Sequence, residues 1–226
     1  KGDGSRKLYD FLTQHLHEFD FKVLTFHYLQ PDVDWHNKVL FAAESMQKRP
    51  ILIADAGFMY AAKMSGQSES YDFFTPDAGE LAFLADELAP HPFYTRGFIL
   101  HPTDNVPDLL RQAYQHQNAA RHLLVKGESD CIVRKGEVVK KVDRPSSEAM
   151  EAIGGTGDTL TGMLTVLCGA DFELTDAAIL ASLANRWSGH YADPSPATQV
   201  IELIEKIPEA LVRALKEHSG RDAHER

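Results

Sequence analysis

The chain has 226 residues, 43% of them hydrophobic, and carries 33 acidic side chains against 23 basic ones, a formal net charge of −10. That length and apolar content suffice for one substantial core, so residues 1–226 are expected to form a single domain. The acidic balance, with no Lys/Arg stripe to interrupt it, argues against a nucleic-acid or anionic-membrane partner. Any phosphates it binds would need local backbone donors, a lysine or two and a divalent cation to offset the negative field.

Two cysteines, Cys131 and Cys168, are too few for a disulfide framework or a Cys-x-x-Cys metal site, and read as reduced thiols. No apolar run approaches the roughly 18 residues needed to cross a bilayer, and no signal-peptide pattern opens the chain, so a cytoplasmic protein is expected. The first residue is Lys1 rather than Met, and part of the natural N-terminus is expected to lie upstream.

In chain order, short apolar runs alternate with amphipathic stretches. Strands are predicted at Phe21–Phe26, Pro50–Ala54, Tyr71–Thr75, Gly97–Leu100 and Arg121–Lys126, with helices at Arg6–His17, Trp35–Gln47, Phe58–Met64, Gly79–Leu88 and Val106–His116 between them. Strand and helix repeated in this way give an α/β fold, a mainly parallel sheet with helices on its faces. Cys131–Arg134 and Val138–Val142, around Lys135-Gly136, predict an antiparallel hairpin. A polar loop then leads to helices at Asp158–Cys168, Thr175–Tyr191 and Ala197–Lys216, a helical C-terminal layer, and the polar tail Glu217–Arg226 is expected to fray.

Open parallel sheets bind ligands at the carboxyl ends of their strands. Three polar clusters fall there: Asp55-Ala56-Gly57, Pro76-Asp77-Ala78-Gly79-Glu80 and Lys126-Gly127-Glu128. Asp55 in that place contacts substrate or metal, or closes an Asx-type turn. Lys126 by itself reads as a solvated lysine at a strand end. Among eleven histidines none has metal-ligand spacing, and His27 stands out only because it follows a strand.

The run Gly154-Gly155-Thr156-Gly157-Asp158-Thr159-Leu160-Thr161-Gly162 joins a glycine-rich turn, an acid and a helix start. Glycines there bring backbone N–H groups against an anion, and the helix directs its positive dipole end to the same place. Asp158 can take a proton from a hydroxyl attacking a bound phosphate; the plainer reading makes it a helix-start acid.

Thr75-Pro76-Asp77-Ala78-Gly79-Glu80-Leu81, Leu124-Val125-Lys126-Gly127 and the glycine run, in that order, resemble the ribokinase-like superfamily, and within it the ADP- or ATP-dependent NAD(P)H-hydrate dehydratases. The resemblance covers roughly Ile51 to Tyr191. It implies a three-layer α/β/α fold and nucleotide-dependent phosphoryl transfer to a small-molecule hydroxyl, with phosphorylation of hydrated NAD(P)H followed by elimination of phosphate. It further implies ATP or ADP and Mg2+ as cofactors and Asp158 as catalytic base. Gly154, Gly155, Thr156 and Gly157 would hold phosphate, Lys126, Gly127 and Asn185 would lie at the nucleotide, and Glu80 and Asp77 at the metal. Asp55 and His27 are the candidate substrate contacts. Homo-oligomers occur in such families. Glu80 and Asp77 have a second reading as acids favoured at a helix start, and Asn185 as a packing residue.

The chain departs from the dehydratase pattern in three places. Asp77-Ala78-Gly79-Glu80 replaces His-Pro-Gly-Glu, Ile53-Ala54-Asp55-Ala56-Gly57 replaces Asp-Ala-Asp-Ala-Leu, and His27-Tyr28-Leu29-Gln30-Pro31-Asp32 replaces a Gly-Pro-Gly-rich loop. Gly2-Asp3-Gly4-Ser5 is read as a remnant of an N-terminal Gly-Ser segment. Asp77-x-x-Glu80 and the altered acceptor loop favour a sugar or vitamin-precursor kinase as an alternative, and the short N-terminus favours a nucleotide-binding protein without turnover.

Overall fold

The structure, a computed structural model, describes residues 2–89 and 106–222. The predicted strand Gly97–Leu100 lies outside them. Six strands line up in the order β1 to β6: β1 Val23–Phe26, β2 Ile51–Ala54, β3 Phe73–Phe74, β4 His122–Val125, β5 Asp130–Arg134 and β6 Glu137–Val142. The described residues divide into two compact units whose boundary runs through β5 and β6.

The first unit holds residues 1–127 and 133–138. Its strands β1 to β4 are parallel, with Val23 opposite Ile51, Ile53 opposite Phe73 and Phe73 opposite His122. Only two residues of the predicted strand Tyr71–Thr75 form ladder, but Arg121 N donates to the Tyr71 carbonyl and Thr75 N to the Ala54 carbonyl, so the whole segment is bonded into the sheet. The helices are α1 Gly2–His15, α2 Val33–Glu44, α3 Ala56–Met64, α4 Ala78–Ala85 and α5 Val106–Gln115. Gly2-Asp3-Gly4-Ser5 forms the first turn of α1 and is not a loop.

Packing in this unit centres on Phe58 of α3. Its ring stacks on Phe26 with centroids 4.0 Å apart and meets Tyr9, His36 and Tyr71. His36 is fully buried there, held by the Tyr71 hydroxyl 2.9 Å from its Nε2. Burial pushes the imidazole down to about 4, against an opposing hydrogen bond with Asn37. Between β5 and β6, Lys135 and Gly136 both take positive φ, 51° and 87°, as a two-residue antiparallel hairpin turn requires.

The second unit, residues 128–132 and 139–226, is built on α6 Thr156–Gly169, α7 Leu174–Ala192, α8 Val200–Ile204 and α9 Ile207–Asp222. Buried Asp130 accepts from Arg186 Nε at 3.0 Å and from the Ser182 hydroxyl, and Arg186 also donates to the Glu128 carbonyl, which fastens α7 to the start of β5. The single helix predicted over Ala197–Lys216 is broken into α8 and α9. Pro208 has no N–H to donate to Ile204, so the helix ladder of α8 cannot run through it. The expected frayed tail is helical as far as Asp222; Glu217 accepts from Trp187 Nε1 at 3.2 Å, and Arg213 lies over the same indole ring. No described helix is long and apolar enough to cross a membrane.

Candidate functional site

In the first unit the carboxyl ends of β1 to β4 deliver His27, Asp55, Asp77 and Lys126, each just past its strand. Asp55 is the N-cap of α3, accepting from Ala56 N at 3.0 Å, which is the turn-closing role open to it from the sequence. Its carboxylate is 1% exposed and does more than cap. Lys126 Nζ lies 3.0 Å from Oδ1 and 3.2 Å from Oδ2, and His27 Nδ1 lies 3.1 Å from Oδ2. Burial alone would raise the Asp55 carboxyl; His27 and Lys126 together hold it below the ordinary carboxylate value. For Lys126 burial works the other way, and Asp55 and Glu80 outweigh it to keep the ammonium charged.

Asp77 and Glu80 close a capping box on α4. Glu80 N donates to Asp77 Oδ1 at 2.7 Å, and Asp77 N to Glu80 Oε2 at 2.9 Å. The other Glu80 oxygen accepts from the Tyr60 hydroxyl at 2.7 Å, and Lys126 Nζ stands 4.0 Å from Oε2. Burial pushes the Glu80 carboxyl up to about 7, Lys126 opposing the rise and Asp77 and Asp55 adding to it. Tyr60 is absent from the sequence reading. Its partner lies 20 residues away, and the one available signal is that a buried acid needs a donor.

Magnesium, which the resemblance assigns to Asp77 and Glu80, demands ionised oxygens aimed at one point. Here Asp77 Oδ1 and both Glu80 oxygens face donors from the chain, and the cation beside the acids is Lys126. The donor set does not fit a directly bound metal.

The glycine-free loop after β1 is accommodated by a glycine on the opposite element. A Cβ on Gly57 would fall 2.0 Å from the Leu29 carbonyl oxygen, so the loop backbone rests directly against the first turn of α3.

In the second unit the glycine run turns into α6 as the sequence suggests. Gly155 is the N-cap with φ 102°, and as a glycine it supplies no side-chain cap. Thr156 and Gly157 are therefore the first two helical residues, where backbone N–H groups lack helical acceptors, and Asp158 is the third. Thr156 Oγ1 lies 3.2 Å from the Ile153 carbonyl, anchoring the turn to the segment before it. Thr159 Oγ1 lies 2.8 Å from the Thr156 carbonyl and 3.0 Å from Oδ1 of buried Asn185, so Asn185 of α7 touches the first turn of α6. Thr159 is the second contact the sequence reading lacks. Gly154 ends the preceding polar segment, and Gly127 follows Lys126 at the end of β4.

Residues 31–209 match the model of a family described as NAD(P)H-hydrate dehydratase. The chain is 42% identical over 217 residues to an uncharacterized protein of Methanocaldococcus jannaschii, covering 96% of this chain and 89% of that one. Over 115 residues it is 36% identical to the bifunctional NAD(P)H-hydrate repair enzyme Nnr of Hyperthermus butylicus; the match takes in 49% of this chain and 21% of that enzyme. Pyridoxal kinase from Entamoeba histolytica superposes with a TM-score of 0.59 over 92% of this chain and 75% of its own, at 17% identity, a likeness of fold. With the family model spanning most of its length, the chain belongs to the NAD(P)H-hydrate dehydratase family and has the ribokinase-like α/β fold.

Proposed function

We propose that the protein is an enzyme that transfers a phosphoryl group from ATP or ADP to the hydroxyl of hydrated NAD(P)H and then eliminates phosphate. The observation that carries this reading is the uncapped start of α6: a left-handed Gly155, N–H groups at Thr156 and Gly157, and a carboxylate one residue further on. Such a start attracts anions and stabilises a transferring phosphoryl group. Family membership supports the choice of acceptor.

In the transfer, the Asp158 carboxylate takes the proton of the acceptor hydroxyl while its oxygen bonds to phosphorus, and the bond to the nucleotide's bridging oxygen breaks. The phosphorylated carbon then loses phosphate and its neighbour a proton, giving the dihydronicotinamide. The sum is hydrate plus ATP to NAD(P)H, ADP, phosphate and a proton. Lys126, Gly127 and Asn185 are proposed nucleotide contacts, and His27 and Asp55 acceptor contacts.

Purified protein incubated with hydrated NADH and either nucleotide should restore the absorbance of NADH, and Asp158→Asn should abolish that recovery while retaining nucleotide binding. Absence of recovery with both nucleotides overturns the reading. The altered Asp77-Ala78-Gly79-Glu80 segment and the His27–Asp32 loop favour a second reading, a kinase for another small alcohol. Nucleotide consumption with a panel of sugars and vitamin precursors, and none with the hydrate, would select it. Nucleotide binding without turnover on any acceptor would leave a binding protein.

A further inference from the structure

We propose that Lys126 is the resident cation of the Asp55 and Glu80 carboxylates, and that it occupies the place a divalent metal would take between them. The ammonium sits astride both Asp55 oxygens at 3.0 and 3.2 Å, in the manner of a chelated ion, and reaches toward Glu80 Oε2 at 4.0 Å. It is 17% exposed, Asp55 1% and the Glu80 side chain 10%, so the three groups meet where water screens them weakly.

Both carboxylates also take donors from the chain. Asp55 Oδ1 accepts from Ala56 N, Glu80 Oε1 from the Tyr60 hydroxyl and Glu80 Oε2 from Asp77 N, and His27 Nδ1 pairs with Asp55 Oδ2 at 3.1 Å. A divalent ion entering this cluster would have to strip oxygens from those donors and settle beside an ammonium that repels it. Lys126→Met, which ends one atom short of the ammonium, removes the repulsion and releases the two Asp55 oxygens that Nζ holds: it leaves two adjacent acids uncompensated and a gap at the ammonium's place. The wild-type pair therefore excludes the metal, and the chain's own lysine does the neutralising.

The inference goes beyond the transfer reaction and is read from metal uptake alone, so its failure and that of the dehydratase reading are separate outcomes. The experiment is titration of full-length protein with Mn2+, without nucleotide, following the free-ion paramagnetic signal. Wild type and Glu80→Gln should take up the same amount, because the pair contributes nothing. Lys126→Met should gain one tight Mn2+ per chain, at least tenfold tighter than any wild-type uptake, and lose it again in the Lys126→Met/Glu80→Gln double variant. Lys126→Arg, which keeps the charge, should behave as wild type. The proposal is overturned if Glu80→Gln or Asp55→Asn lowers wild-type uptake, or if folded Lys126→Met gains no site. Should Lys126→Met fail to fold, the comparison of wild type with Glu80→Gln and Asp55→Asn still decides.

Discussion

The strand-end cluster of the first unit and the glycine turn of the second are opposite solutions to placing charge in a fold. At the strand ends every acid is answered from within the chain, Asp55 by Lys126, His27 and Ala56 N, and Glu80 by Tyr60 and Asp77 N. At the start of α6 the N-cap has no side chain, and backbone donors precede a half-buried acid. Saturation makes the first cluster a source of stability and shape. The missing cap makes the second costly to maintain without an anion and suited to binding one. Substitutions should therefore separate the two: in the first cluster they should cost stability along with any ligand contact, in the second they should be read mainly in turnover.

The sharpest separation is at Asp158. Asp158→Asn should lower the rate of NADH recovery about a thousandfold, as loss of a positioned base does. Its urea midpoint should stay close to wild type, because Asp158 is not the cap of α6. A large fall in stability with the rate preserved would break the comparison.

Asp55→Ala should show first in stability. It strands a buried ammonium and removes the cap of α3, a loss of about 3–5 kcal/mol in urea unfolding. Asp55→Asn keeps an oxygen for Ala56 N, so the difference between the two variants measures the cap, about 1 kcal/mol.

His36 tests burial in the same unit by pH. Its imidazole titrates at about 4 in the fold, below the ordinary value near 6.5, so the unfolded chain binds the proton first. The stability that neutral His36 permits is complete above about pH 6.5 and drains away as pH falls to about 4, by up to about 3 kcal/mol. Subtracting the pH profile of His36→Gln from that of wild type should isolate this slope. A flat difference would show that the ring is accessible to protons in the native state.

The balance of what the sequence makes legible follows the same division. Strand ends and helix starts are local, so His27, Asp55, Asp77, Lys126 and the glycine run could be placed on the rim and at the helix from their neighbours alone. The capping box is local too, and Asp77-x-x-Glu80 carries its spacing openly. What could not be read are partners far apart in the chain. Lys126 meets Asp55 across 71 residues because parallel strands bring their carboxyl ends together, and nothing in either neighbourhood marks the other. Tyr60 finds Glu80 because α3 and α4 pack side by side. The break between α8 and α9 was legible at Pro208, but amphipathic spacing continued across it and masked the missing donor.

Gly155 measures the backbone of the open turn. Alanine there would hold φ at 102° with a Cβ, 3.2 Å from Val200 Cγ2, and should lose about 1–2 kcal/mol of stability as well as nucleotide affinity.

The smallest expected effect asks how rigid that turn must be. Thr159 Oγ1 has one proton and two acceptors within reach, the Thr156 carbonyl and Asn185 Oδ1, so α7 is coupled to the first turn of α6 through a single hydroxyl. Thr159→Val keeps the shape and leaves the amide of Asn185 short of one contact, a loss of about 1 kcal/mol. Thr159→Ser keeps the hydroxyl and should restore it. If the turn binds phosphate through its backbone, Thr159→Val should raise the Kd for nucleotide a few-fold without changing the pH dependence of turnover, since the base is untouched. A shift in that pH profile would place Thr159 among the groups that set the protonation of Asp158, and the turn would then be an electrostatic device rather than a rigid mould.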